Sequence, residues 1–128
     1  MARISKPKAV LMAAVAALGV APLIGTAEAD SFSASSSISI SVSGNTFSGQ
    51  VSSDRGRCER NRRVILIRNR RNGPDFEAGA TFTDENGRWR ITKPNPRGRY
   101  YVVTPSRVRS RYGHRHECGG ARSRTVRA

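Results

Sequence analysis

His114-Arg115-His116-Glu117-Cys118 sets four metal-ligating side chains within five residues. In an extended strand His114 and His116 share one face, at i and i+2. Zinc sites recur with characteristic ligand spacings, and this cluster has none of them. A disulfide at Cys118 would remove its thiolate, leaving two histidines and a glutamate in a glycine-flanked loop. The expected metal set is therefore none, and no cofactor is implied. Nucleophilic catalysis has no better footing. Serines are plentiful, but none sits in a Gly-x-Ser-x-Gly elbow. Asp84-Glu85 lie in a turn, and Asp75 and Glu77 flank the start of a strand. Without a recognisable nucleophile and base, the chain reads as non-enzymatic, with no catalytic residues.

The basic side chains form the one sizeable chemical feature. Arg107, Arg109 and Arg111 alternate in "RVRSRYGHR", and Arg88 and Arg90 bracket Trp89. In extended chain each set lines one face, with neighbours about 7 Å apart. Such rows can bind a polyanion, whether an anionic cell-envelope polymer or extracellular nucleic acid. They can equally form a solvated face that serves solubility. Lys93 is the only lysine beyond the N-terminal stretch. That preference for arginine fits bidentate recognition of phosphate or carboxylate, and it fits a base composition rich in arginine codons.

Where this charge is displayed depends on the compartment. "MARISKPKAV" carries Arg3, Lys6 and Lys8, an uncharged apolar run follows, and "AEA" offers small residues at Ala27 and Ala29. That layout is a secretory signal peptide over residues 1–29. The alternative, an uncleaved anchor, needs about 20 clean apolar residues, and this run is interrupted by Pro22 and two glycines. Removing Arg3, Lys6, Lys8 and Glu28 from the 23 basic and 9 acidic residues leaves 20 and 8, a net charge of +12. Export also makes the two cysteines, Cys58 and Cys118, an expected disulfide. A bond closing a loop of about 60 residues stabilises by up to about 4 kcal/mol in the chain-entropy picture.

The elements that must position these residues read as strands. "DSFSASSS" is a serine-rich, flexible lead-in over 30–37. Ile38, Ile40 and Val42 then alternate with serines, "SGN" marks a turn, and Phe47, Gly49 and Val51 alternate again, which makes a hairpin. "RVILIRN" is a short apolar strand, and Asn72-Gly73-Pro74 breaks it. "FEAGATFT" and "RWRIT" are strands joined by Asp84-Glu85-Asn86-Gly87, where Gly87 supplies a positive φ. "RYYVVTPSRV" is a strand running to about Val108, "RSRYGHRHECGG" an irregular loop, and "ARSRTVRA" a last strand. About seven short strands and no helix after residue 29 define an all-β, antiparallel sandwich over 38–128.

The order of parts resembles the carboxypeptidase regulatory-like domain, a transthyretin-like (prealbumin-like, Ig-like) β-sandwich. The residues that carry the resemblance are Gly49-Gln50-Val51, the strand Val64 to Ile67, Thr83-Asp84-Glu85-Asn86-Gly87-Arg88-Trp89, and Pro96-Arg97-Gly98-Arg99-Tyr100. It covers about Phe47 to Thr104 and implies a non-catalytic accessory module. A transthyretin-like hydrolase of a purine breakdown product carries a C-terminal Tyr-Arg-Gly-Ser, whereas this chain ends "SRTVRA". The Thr83–Trp89 turn is expected to bring Phe82 and Trp89 into one core. Trp89 as an exposed sugar-stacking platform is the alternative.

These observations together imply a secreted, extracellular binding or structural module with no membrane span once processed. Its partner is an anionic polymer. A carbohydrate-binding module and a passive structural protein without a ligand are the alternatives, and nothing in the sequence fixes the oligomeric state. Export should remove residues 1–29, because Ala27 and Ala29 suit signal peptidase and Asp30 opens a polar stretch. Mass spectrometry of the exported protein checks this: a chain beginning at Asp30 is expected, and a membrane-bound chain retaining Met1 would contradict it.

Overall fold

A computed structural model describes residues 31–128 of the protein. The expected signal peptide, residues 1–29, lies outside the described residues. Twelve short strands follow one another: β1 (Phe32–Ala34), β2 (Ser36–Ile38), β3 (Ser41–Ser43), β4 (Thr46–Ser53), β5 (Arg63–Asn69), β6 (Phe76–Phe82), β7 (Arg88–Thr92), β8 (Arg99–Thr104), β9 (Arg107–Arg111), β10 (His114–Cys118), β11 (Ala121–Arg122) and β12 (Val126–Arg127). The sole helical element among the described residues is a 3-10 turn at Gly56–Cys58.

The strands form antiparallel ladders. β4 pairs with β2, β3 and β7, and β5 runs between β6 and β8, with β11 and β12 both on the far side of β8. Alternation decides what lies between these two sheets. Ile38, Ile40, Phe47, Val51, Trp89 and Ile91 come from the β4 sheet, and Val64, Leu66, Tyr100, Val102 and Val126 from the β5 sheet. They form one buried cluster, with Phe47, Val51, Val64, Leu66 and Val102 fully sealed from solvent. This is a β-sandwich core: inward residues of two sheets interdigitate and outward ones remain polar. β1, β10 and β9 form a third, three-stranded sheet in that order.

The chain divides into two compact units. The larger holds Ser33–Arg109 and Glu117–Ala128, and so contains both sandwich sheets. In the smaller, Phe32 stacks on His116 at 4.7 Å between ring centroids, and the Arg115 amide donates to Ser31 Oγ at 3.1 Å.

Four expectations need correction. Over its described residues, 31–37, the serine-rich stretch expected as a flexible lead-in over 30–37 is not free, because β2 pairs Ser36 with Ser53 and Ile38 with Val51. Pairing uses the backbone, so a run of serines can be a strand without showing an apolar face. The stretch read as a loop after Val108 is a hairpin, β9 to β10, turned at Tyr112-Gly113 with φ of 51° and 79°. Two consecutive positive φ values are the signature of a type I′ connection. The preceding strand ends earlier than expected, at Thr104, where Pro105 has no N–H to continue the ladder.

Phe82 is the fourth correction. It is 59% exposed. Val64 and Leu66 must face the core, and they pair with Thr81 and Gly79, so those residues face inward and Phe82 stands opposite exposed Arg63. A bulge between Leu66 and Ile67 then shifts the register, and Ala78 returns to the core side. Trp89, by contrast, is buried against the sheet, as the turn reading expected.

The disulfide is present: Cys58 and Cys118 are bonded, with Cα atoms 5.3 Å apart. Beside it lies Arg62, which is 1% exposed. Its guanidinium donates to the carbonyls of Cys58 (2.7 Å), Gly119 (2.9 Å) and Pro105 (3.0 Å) and to Ser36 Oγ (3.1 Å). Its backbone amide donates to Thr83 Oγ1 at 2.8 Å, and that hydroxyl donates to the Glu59 carbonyl at 2.6 Å. Burial, and then the positive charge of Arg107, push the Arg62 guanidinium below the ordinary arginine range.

Arg62→Lys keeps the charge but replaces a planar fork with a single ammonium. Urea unfolding should show a loss of about 2–3 kcal/mol, since several buried acceptors lose their donor. Cys58→Ser with Cys118→Ser should cost up to about 4 kcal/mol. Because Arg62 holds the carbonyl of Cys58 itself, the two losses should not add in the combined variant. Strict additivity would show that the bond and the arginine act on separate regions.

Candidate functional site

Strand β7 displays its arginines through simple alternation. Trp89 and Ile91 point into the core, so Arg88 and Arg90 point outward, opposite Gln50 and Ser48 on β4. The turn that delivers β7 is fixed by Asp84. Its Oδ1 accepts from the amides of Asn86 (2.8 Å) and Arg88 (2.9 Å), while the Asp84 amide donates to the Arg88 carbonyl (2.9 Å). Gly87 takes φ +81°, and its carbonyl accepts from the Val51 amide at 2.8 Å. The Arg88 amide, then that of Asn86, hold the Asp84 carboxyl below its ordinary range.

Next to this turn runs an open groove of about 680 Å³, lined by Ser48, Gln50, Phe82, Asp84, Arg88 and Arg90, among others. Trp89 also lines it, and its Nε1 is buried without a hydrogen-bond partner. Gly49 is what admits the indole: a Cβ there would lie 2.8 Å from Nε1 and 2.0 Å from the Ser39 carbonyl oxygen. With Trp89 buried, its ring is not available as a sugar-stacking platform. The exposed aromatic at this groove is Phe82.

The second predicted row is divided by the fold. Arg107, Arg109 and Arg111 do alternate along β9. Arg107, however, is committed to structure: Nη1 donates to the Asn61 carbonyl at 2.8 Å and Nη2 to the Arg57 carbonyl at 2.6 Å. Burial, then Arg109 and Arg60, lower its affinity for its proton below the usual arginine range. Arg109 is exposed on the same strand. Arg111 belongs to the smaller unit, where its guanidinium lies 5.1 Å from the ring of exposed Tyr112. Arg88 and Arg90 are on the β4 sheet, and Arg107, Arg109 and Arg111 are on the three-stranded sheet.

The His114–Cys118 cluster is dispersed by its uses. Cys118 is in the disulfide and His116 stacks on Phe32. Among the described residues no three His, Cys, Asp or Glu side chains are grouped to hold a metal ion. Asp75, read as one of a few scattered carboxylates, accepts from the Tyr101 hydroxyl (2.8 Å), from Asn69 Nδ2 (3.2 Å) and from the Arg70 amide (3.3 Å). The Tyr101 bond is the main cause of its lowered pKa, and the same bond raises that of Tyr101.

Sequence reasoning missed the most constrained arginine, Arg62. Nothing in "RCERNRR" separates the buried side chain from its neighbours, because an arginine satisfied by carbonyls needs no acidic partner in sequence. It also gave no role to Arg68-Asn69-Arg70-Arg71, the end of the RVILIRN strand and the residues after it, although that run borders a cleft of its own. No family model, curated protein or solved structure matches the chain.

Asp75 and Asp84 both titrate lower in the folded than in the unfolded chain. The unfolded chain therefore binds protons first, and the stability they contribute is complete above about pH 4 and is lost as pH falls through their folded values. Melting temperature should therefore fall as pH is lowered below about 4, the ordinary aspartate value. Asp84→Asn, which keeps an Oδ1 acceptor, should make that fall shallower. An unchanged profile would mean that the turn carboxylate is not coupled to folding.

Proposed function

We propose that the protein is exported through residues 1–29 and works outside the cytoplasm as a non-enzymatic β-sandwich module that binds anionic polymers of the cell envelope or extracellular nucleic acid. The observation that carries this reading is the outward row of Arg88 and Arg90 on β7, beside a groove whose nearest acid, Asp84, is already occupied by backbone amides. With 20 basic and 8 acidic residues after position 29, the surface has no acidic counterweight of comparable size. Arg109 adds an exposed charge on β9, and Arg111 an exposed one in the smaller unit. Arg107 serves to fasten the backbone. Export is supported by the disulfide, which belongs to oxidising compartments. No helix among the described residues is long and apolar enough to cross a membrane. The likeness to carboxypeptidase regulatory-like domains is supported by two facing antiparallel sheets and by Gly87 and Gly98 taking positive φ in the motif turns. A carbohydrate-binding role has one specific observation behind it, the exposed ring of Phe82 at the groove rim beside Ser48 and Gln50.

Three phosphate contacts, from Arg88, Arg90 and Arg109, imply a slope of about −2.7 in log K against log salt on duplex DNA. Affinity should then fall roughly 40-fold between about 50 and 200 mM salt, without base preference. Changing Arg88 and Arg90 to Gln should flatten the slope by nearly two units. Changing Arg60 and Arg63 should flatten it far less. If both pairs act alike, the charge is diffuse and the passive structural role holds. Retention on neutral glycans that is lost in Phe82→Ala would move the assignment to carbohydrate.

A further inference from the structure

At the end of the β5 sheet the ladder brings like charges together. Arg99 on β8 pairs directly with Arg127 on β12, and on its other side with Asn69 on β5. Like charges directly opposite in an antiparallel pair are destabilising. Three more arginines join them. Arg68, Arg70 and Arg71 come from the end of β5 and the turn after it, and all five line one cleft of about 400 Å³. Arg68 is set most firmly. Its guanidinium lies 5.6 Å from the Tyr100 ring centroid and packs against Gly98, where a Cβ would stand 2.6 Å from its Cζ. Gly98, at φ +97°, thus leaves room for the head group. The Nε of Arg68 is buried and has no hydrogen-bond partner, an unfavourable state for a charged donor. Asp75, which approaches Asn69 and the Arg70 amide, is engaged by Tyr101.

Five arginines lining one cleft and a cross-strand pair of like charge favour a compact anion with several oxygens. Planar guanidinium forks match phosphate oxygens two at a time. The evenly spaced single charges of a phosphodiester backbone suit an open row such as Arg88 and Arg90. A concave site of this size suits clustered charge. We propose that this cleft is a binding site for linked phosphate groups, with the chemistry of pyrophosphate or a short polyphosphate chain, separate from the polymer-binding row on β7. The proposal uses different residues from that row, so the two readings stand or fall independently.

The test is calorimetric titration of the exported protein in a phosphate-free buffer at fixed ionic strength, with tripolyphosphate, orthophosphate and a single-stranded oligonucleotide as probes. Tripolyphosphate should bind as one molecule per chain and about tenfold or more tighter than orthophosphate. Arg99→Gln with Arg127→Gln should weaken tripolyphosphate binding at least about tenfold. The same double variant should melt no lower than the parent, because a like-charge pair has been removed. Arg60→Gln with Arg63→Gln removes equal charge elsewhere and should weaken tripolyphosphate binding by less than about threefold. Equal weakening by the two double variants, or no preference for tripolyphosphate over orthophosphate, would overturn the proposal. A loss confined to oligonucleotide binding in the Arg99/Arg127 variant would overturn it too, by making the cleft part of the polymer face. Oligonucleotide binding that fails altogether while tripolyphosphate is retained leaves the cleft assigned and removes only the polymer reading.

Discussion

Arg62 places a positive charge beneath the surface and satisfies it with three main-chain carbonyls and a serine hydroxyl. A buried guanidinium is tolerable only while those acceptors stay in place, and they come from four separate stretches: β2, the Cys58 turn, the connection after β8 and the connection after β10. Moving any one of them leaves a charged donor unpaired in a poorly solvated site, at a cost of several kcal/mol. The arginine therefore acts on loops that the hydrophobic core does not reach. The disulfide ends in the same place, joining two of those stretches covalently. Thr83 then links the Arg62 amide to the Glu59 carbonyl. One end of the sandwich is organised by polar contacts, and the middle by Phe47, Val51, Val64, Leu66 and Val102.

The same economy explains how a small domain carries so much positive charge. Strands bury alternate residues, so every inward Val or Ile leaves an outward neighbour free to be arginine. Where two such neighbours would collide, the chain uses them. Arg107 fastens the backbone at Arg57 and Asn61, Arg122 lies 3.8 Å from the Tyr101 ring centroid, and Arg70 packs near Phe76. Guanidinium groups stack on aromatic faces and hydrate weakly, so they serve as packing material at the rim of a core too small to seal itself. The arginine content thus has structural uses as well as electrostatic ones.

The parts of this fold that were legible in the sequence are those with local causes. The hairpin from Ile38 to Val51 follows from alternation around a Gly-Asn turn, and the Asp84–Gly87 turn from an aspartate acceptor three residues before a glycine. The cysteine pair followed from their number and the compartment. What escaped depends on partners far away in the chain. Phe82 continues the pattern of Ala78 and Ala80, yet β5 decides the register, and Val64 and Leu66 outweigh one phenylalanine. The serines of β2 carry no apolar signal, because their role is to pair with β4 and to accept from Arg62. The β9–β10 hairpin turns on Tyr112 in a left-handed conformation that a tyrosine does not announce. Of the two expected arginine rows, that on β7 faces outward as a pair, while in that on β9 Arg107 is taken by carbonyls that no local pattern could reveal.

At Gly49 the backbone of one strand passes so close to another that no side chain of any size fits between them. The carbonyl of Ser39 occupies the place where a Cβ would be, and the indole nitrogen of Trp89 stands just behind it. In evolutionary terms this position is closed. Arginines around the surface can drift to lysine or glutamine one step at a time, but residue 49 has no neighbouring sequence to drift into without first parting β2 and β3 from β4. Descendants of this chain would keep that glycine long after the charges that surround it had changed.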